Sequence, residues 1–113
     1  MSKLQEKVDQ MATALNDMNE RPDMDLLMAV CKGLGPSLYN SDAAYVATSD
    51  KEEVDRLKKN FLIKKLGLSD SDDLDGAIDM VTEKMGKSNS RKHRAIFYYL
   101  LTKHFKKESV YTS

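Results

Sequence analysis

Residues 84–107 read KMGKSNSRKHRAIFYYLLTKHFKK. Eight of these side chains are Lys or Arg and none is Asp or Glu, and the cations bracket seven consecutive apolar residues, Ala95 to Leu101. An apolar run of that length covers every side of two helical turns, so a helix here has to be buried from several directions. Ser88-Asn89-Ser90 offers caps, and the pattern predicts a helix from Arg91 to about Lys107. The other helices then pack around this rod. Its cations are expected at its two ends, Arg91, Lys92 and Arg94 at the first and Lys103, Lys106 and Lys107 at the second. Cations suit a helix C-terminus, so the second trio has a structural reason to exist. The first trio sits where the helix dipole disfavours positive charge, so it is either the functional candidate or meets acidic residues of another helix.

The whole chain is neutral, with 18 basic and 18 acidic residues. Outside 84–107, ten cations therefore face all 18 carboxylates, a net −8 against the segment's +8. A molecule so polarised either pairs its halves internally or offers a basic face to an anion. At 113 residues, the chain is read as one domain spanning 1–113. A single Cys31 rules out an intrachain disulfide and gives no sign of an oxidising compartment. The start, MSKLQEKVDQ, has no signal-like apolar run, and seven apolar residues fall far short of the roughly 20 that span a bilayer. No membrane contact and a cytoplasmic location are expected.

Working outward, Leu4, Val8, Met11, Leu15 and Met18 repeat at 4-3-4-3 spacing, one stripe of an amphipathic helix that ends at Arg21-Pro22. Asp23 or Asp25 caps a second helix over Met24–Lys32, with Gly33 at its left-handed end. Pro36 starts a short helical turn through Tyr39, and Asn40-Ser41-Asp42 precedes another at Ala43–Val46. Ser49 with Glu52 fits a capping box for a helix to about Leu66 that buries Val54, Leu57, Phe61 and Leu62, closed by Gly67. An acidic start at Ser69–Asp73 leads into the stripe Leu74, Ala77, Ile78, Val81 and Met85, closed by Gly86. No stretch alternates with period 2. The expected fold is all-α, a single-domain bundle of about five helices plus one or two short helical turns around the central C-terminal helix. Residues 1–20 form a loosely docked N-terminal helix in this reading. The tail, 108–113, frays, although Val110 and Tyr111 are able to fold back.

Three stretches carry a family resemblance: Lys32-Gly-Leu-Gly-Pro-Ser-Leu-Tyr-Asn-Ser-Asp-Ala, Asn60-Phe-Leu-Ile-Lys-Lys-Leu-Gly-Leu, and Arg94-Ala-Ile-Phe-Tyr-Tyr-Leu-Leu-Thr-Lys. Over about residues 23–110 the chain resembles the small bacterial proteins of domain-of-unknown-function family 2853. That resemblance implies a compact helical array in a bacterial cytoplasm and brings no activity and no site residues with it.

Ser71-Asp-Asp-Leu-Asp-Gly76 partly matches a calcium loop, but Ser71 stands where Asp is wanted and Thr82 where a bidentate Glu is wanted. Helical periodicity also runs straight through it. His93 and His104 lie about three turns apart and cannot share a metal within one chain. Cys31 reads as a small buried hydrophobe. Carboxylates cluster at helix starts, as caps do, and no nucleophile motif or phosphate-binding Gly-rich loop occurs. No catalytic residue, cofactor or metal ligand is therefore assigned. By elimination the chain reads as a small non-enzymatic interaction or adaptor module. It either self-associates or takes a protein partner through Leu4, Val8, Met11, Leu15 and Met18, unless that stripe simply covers the helical core of its own chain. The alternative is weak, sequence-independent nucleic-acid binding through Lys87, Arg91, Lys92 and Arg94, helped by Arg56, Lys58, Lys59, Lys64 and Lys65.

Overall fold

The computed structural model describes residues 3–40, 44–69, 73–86 and 92–112. In chain order it comprises α1 (Lys3–Asp17), α2 (Met24–Leu34), a 3₁₀ turn (Gly35–Leu38) and α3 (Lys51–Arg56), which runs on into a π-helical segment (Leu57–Ile63). There follow α4 (Leu74–Met85), α5 (Arg94–His104) and the short α6 (Ser109–Thr112). No strand occurs among the described residues; a single antiparallel bridge joins Tyr45 to His93. The all-α expectation holds.

The apolar run folds as α5 and lies at the centre. Ala95, Ile96, Phe97, Tyr99, Leu100 and Leu101 are all buried, Phe97 and Leu101 completely. Helices α1, α2 and α4 pack against it. A helix this apolar is stable only if its neighbours remove most of its surface from water, and here only Tyr98 of the run stays partly exposed. Tyr99 adds a polar tie, because the backbone N–H of Asp23 donates to its hydroxyl at 2.7 Å. That N–H precedes α2, whose own cap is the Asp23 carboxylate accepting from Leu26 N. Tyr99→Phe should therefore cost about 1–2 kcal/mol in urea unfolding, because the Asp23 N–H loses its partner in a part-buried place. An unchanged midpoint would refute that role for the hydroxyl.

Several boundaries differ from the sequence reading. Helix α1 stops at Asp17, because Asn19 takes a left-handed conformation (φ 62°) and Glu20 N–H closes onto the Leu15 carbonyl at 2.9 Å. Asn tolerates that region better than other side chains, so the helix ends before Pro22 is reached. Gly33 lies inside α2, within 3.4 Å (at a Cβ position) of the Tyr111 ring, and Gly35 (φ 56°) makes the turn instead. Asp50, not Ser49, caps α3 by accepting from Glu52 N. Ala44–Val46 is not helical: Val46 N–H donates to the Lys92 carbonyl, and Arg94 N–H donates to the Ala44 carbonyl at 2.7 Å. This short extended pairing anchors the start of α5, whose first N–H groups have no intrahelical partner.

Helix α1 is not loosely docked. Val8 and Leu15 are fully buried, Met11 is 3% exposed, and Leu4 and Met18 pack at the edge of the same core. Nor does the tail fray over its described part: Lys106 (φ 57°) turns the chain, and α6 returns to α2 with Val110 and Tyr111 against the core. The apolar stripe of α4 falls as expected, while Asp70 and Asp72 of the expected acidic start lie outside the described residues. Asp73 caps it by accepting from Gly76 N, and Leu74, Ala77, Ile78, Val81 and Met85 are buried. The expected caps at Ser41-Asp42 and Ser88–Ser90 lie outside the described residues, as does Ser71.

Candidate functional site

Of the four residues of the basic face read from the sequence, Lys92 and Arg94 are described, and both are engaged within the fold. Lys92 is only 4% exposed, within the segment that pairs with Ala44–Val46. Arg94 is a structural hub. Its guanidinium donates to the Tyr98 hydroxyl (3.1 Å) and the Tyr45 carbonyl (3.3 Å), and makes a close ion pair with Glu53 on α3. Arg56 meets the same carboxylate at 3.1 Å. Both Arg94 and Glu53 side chains are about 15% exposed or less. Burial alone would raise the Glu53 carboxyl, but hydrogen bonds from Arg94 and Arg56 outweigh it and hold the group below its ordinary value. Tyr98 in turn stacks on Phe61, centroids 3.9 Å apart, and Tyr99 is buried, so neither ring is presented to a base. Lys87 and Arg91 lie outside the described residues.

Of the helping cations, Arg56 pairs with Glu53 and Lys58 with Asp55 and Asp75. Lys65 lies over the Tyr111 ring at 4.9 Å. Lys84, Lys103 and His104 occupy the last turns of α4 and α5, where they oppose the negative ends of the helix dipoles. Together with Arg21 they line a groove of about 440 Å³. Glu20 pairs with Lys84, and Asp23 stands 3.5 Å from Lys103. Lys84 and Lys103 are thus paired within the chain.

The N-terminal stripe is likewise occupied by its own fold. Val8, Met11 and Leu15 face α2 and α5 and cannot simultaneously serve a second copy. The periodicity was that of an amphipathic helix covering a core. Cys31 is buried, and desolvation pushes its thiol up to about 11, so the thiolate is scarce at neutral pH. Among the described residues no three His, Cys, Asp or Glu side chains gather as a metal site.

What the sequence did not disclose is a cleft of about 540 Å³ between α3 and α4. One wall carries Lys51, Val54 and Asp55 of α3 and Lys58 of the π-helical segment; the other carries Asp75, Ile78, Asp79 and Thr82 of α4, with Thr48 and Ser49 at the entry to α3. Val54 and Ile78 supply apolar surface, and Thr82 satisfies its own hydroxyl on the Ile78 carbonyl at 2.7 Å. Lys58 spans the two walls, its ammonium 2.9 Å from Asp75 and 3.7 Å from Asp55. The Asp75 carboxylate, its hydrogen-bond partner, raises the Lys58 amine above its ordinary value. The i, i+4 spacing of Asp75 and Asp79 was visible in the sequence, but the facing wall is contributed by residues some 20 positions earlier.

The family model described as "Protein of unknown function (DUF2853)" matches residues 9–109. The chain belongs to that family. The match takes in the described part of the α3–α4 cleft and all of α5, and it confirms the family resemblance carried by the three quoted stretches. Among curated proteins, none matches the chain. No helix of this DUF2853 chain, over its described residues, is long and apolar enough to cross a membrane.

Proposed function

We propose that this protein is a small non-catalytic adaptor that docks a segment of another protein in the α3–α4 cleft. The observation that carries this reading is the cleft itself. It is open, within the roughly 300–1,000 Å³ range of ligand sites, and combines apolar Val54 and Ile78 with charged walls. An apolar centre within a polar rim is the usual anatomy of a protein contact. The self-association reading through α1 is withdrawn, since that stripe belongs to the core. Nucleic-acid binding keeps Lys87 and Arg91 but loses Lys92 and Arg94 to structural roles, and no observation favours it over the cleft.

A photo-crosslinking side chain at Lys51, on the cleft wall, tests the reading in the cells that make this protein. A discrete protein adduct is expected from Lys51 and none from the same group at Asn16, an exposed position on α1. Equal labelling at both positions, or no adduct at Lys51, would overturn it.

A further inference from the structure

The charges around the cleft are unequal on its two sides. The α4 wall presents Asp75 and Asp79, one helical turn apart, and no cation. The α3 wall alternates Lys51, Asp55 and Lys58. Helix-start chemistry explains Asp75, which lies in the first turn of α4, but not Asp79 or Asp55. Among the described residues Lys58 is the only lining cation in contact with these carboxylates, and its ammonium bridges Asp55 and Asp75 across the opening. Asp79 has no ion pair among the described residues.

This arrangement resembles an occupied site in which the chain supplies its own cation. We propose that the natural occupant is a partner segment setting Lys or Arg side chains beside an apolar residue, and that Lys58 holds the carboxylates until that segment arrives. The apolar residue rests on Val54 and Ile78 while its cationic neighbours face the α4 wall. Arriving charge displaces the Lys58 ammonium from Asp75 or takes the open carboxylate of Asp79. A guanidinium is favoured over an ammonium there, because its planar donors meet a carboxylate in two parallel hydrogen bonds whereas Lys58 offers a point charge. The apolar contact supplies affinity and the charge asymmetry fixes which edge of the segment faces α4. This inference rests on the cleft being the contact surface.

The test uses the full chain, labelled with ¹⁵N, and two acetylated and amidated eight-residue probes alternating Leu with Arg or Leu with Glu. The Arg probe is expected to shift amides of Val54, Lys58 and Asp79 selectively, with the Glu probe leaving them in place. Asp79→Asn should weaken the Arg probe about two- to fivefold, the scale of one partly exposed ion pair. Lys58→Met should strengthen it by a similar factor, because the internal competitor is gone. A merely structural Lys58 would give weaker or unchanged binding in that variant. Equal response to both probes, or binding by wild type as tight as or tighter than by Lys58→Met, overturns the proposal. A crosslinked partner at Lys51 together with silent Arg probes would overturn it while leaving the docking cleft intact. Loss of the crosslink itself would remove the cleft reading.

Discussion

Arg94→Ala is expected to destabilise the fold by about 3 kcal/mol, the lower end for breaking an ion pair held away from water. The substitution removes the partner of Glu53, the donors to Tyr98 and the Tyr45 carbonyl, and the link between α3 and α5. Urea unfolding measures it directly, and a loss below 1 kcal/mol would place Arg94 among ordinary surface cations. The same pair has an acid signature. Glu53 is depressed in the folded chain, so on acidification the unfolded chain takes up its proton first, near the ordinary value of about 4.3. The stability this carboxylate contributes is therefore complete above that pH and is lost as pH falls towards the lower folded value. The gap between wild type and Arg94→Ala should stay level from pH 7 to about 5 and narrow below about 4. A gap that stays level throughout acid unfolding would contradict the pairing.

Met11→Glu separates the two uses of the α1 stripe. If the stripe met a second copy, this change would alter molecular size with little effect on the fold. Met11 is 3% exposed between fully buried Val8 and Leu15, so the expected result is a stability loss of about 3 kcal/mol or more. Truncating buried Met costs about 2–5 kcal/mol, and an unpaired carboxylate in that place adds desolvation. The unfolding midpoint should be independent of protein concentration before and after the substitution. A midpoint that rises with concentration in the wild type would restore the intermolecular reading.

The parts of the fold legible in the sequence were those encoded locally. The stripe and cap of α4 sit within 13 consecutive residues, Asp73 to Met85, and the run at Ala95–Leu101 announces burial from all sides. The π-helical segment had no such signature. Its apolar residues Leu57, Phe61 and Leu62 fit an α-helical stripe, and the wider winding, which continues in the i−5 hydrogen bonds from Lys64 to Lys59 and from Leu66 to Phe61, leaves no mark on that spacing. That Arg94 meets an acidic residue of another helix was one of the two readings open to it, but its partner Glu53 lies 41 residues earlier and no local pattern singles it out. Lys92 misled for the same reason: its burial follows from pairing with Ala44–Val46, a stretch whose caps and apolar residues suggested a helical turn. The cleft was hidden because its walls are two separate helices, each of which looks like an ordinary amphipathic element.

The lone thiol of Cys31 turns this architecture into something that can be timed. Alkylating reagents need a thiolate and room to approach, and the closed molecule offers neither. Modification can then proceed only during excursions that lift α2 off the central rod, so the rate of labelling is a clock for that breathing. One native sulfur, read by mass, reports how often the heart of the molecule opens.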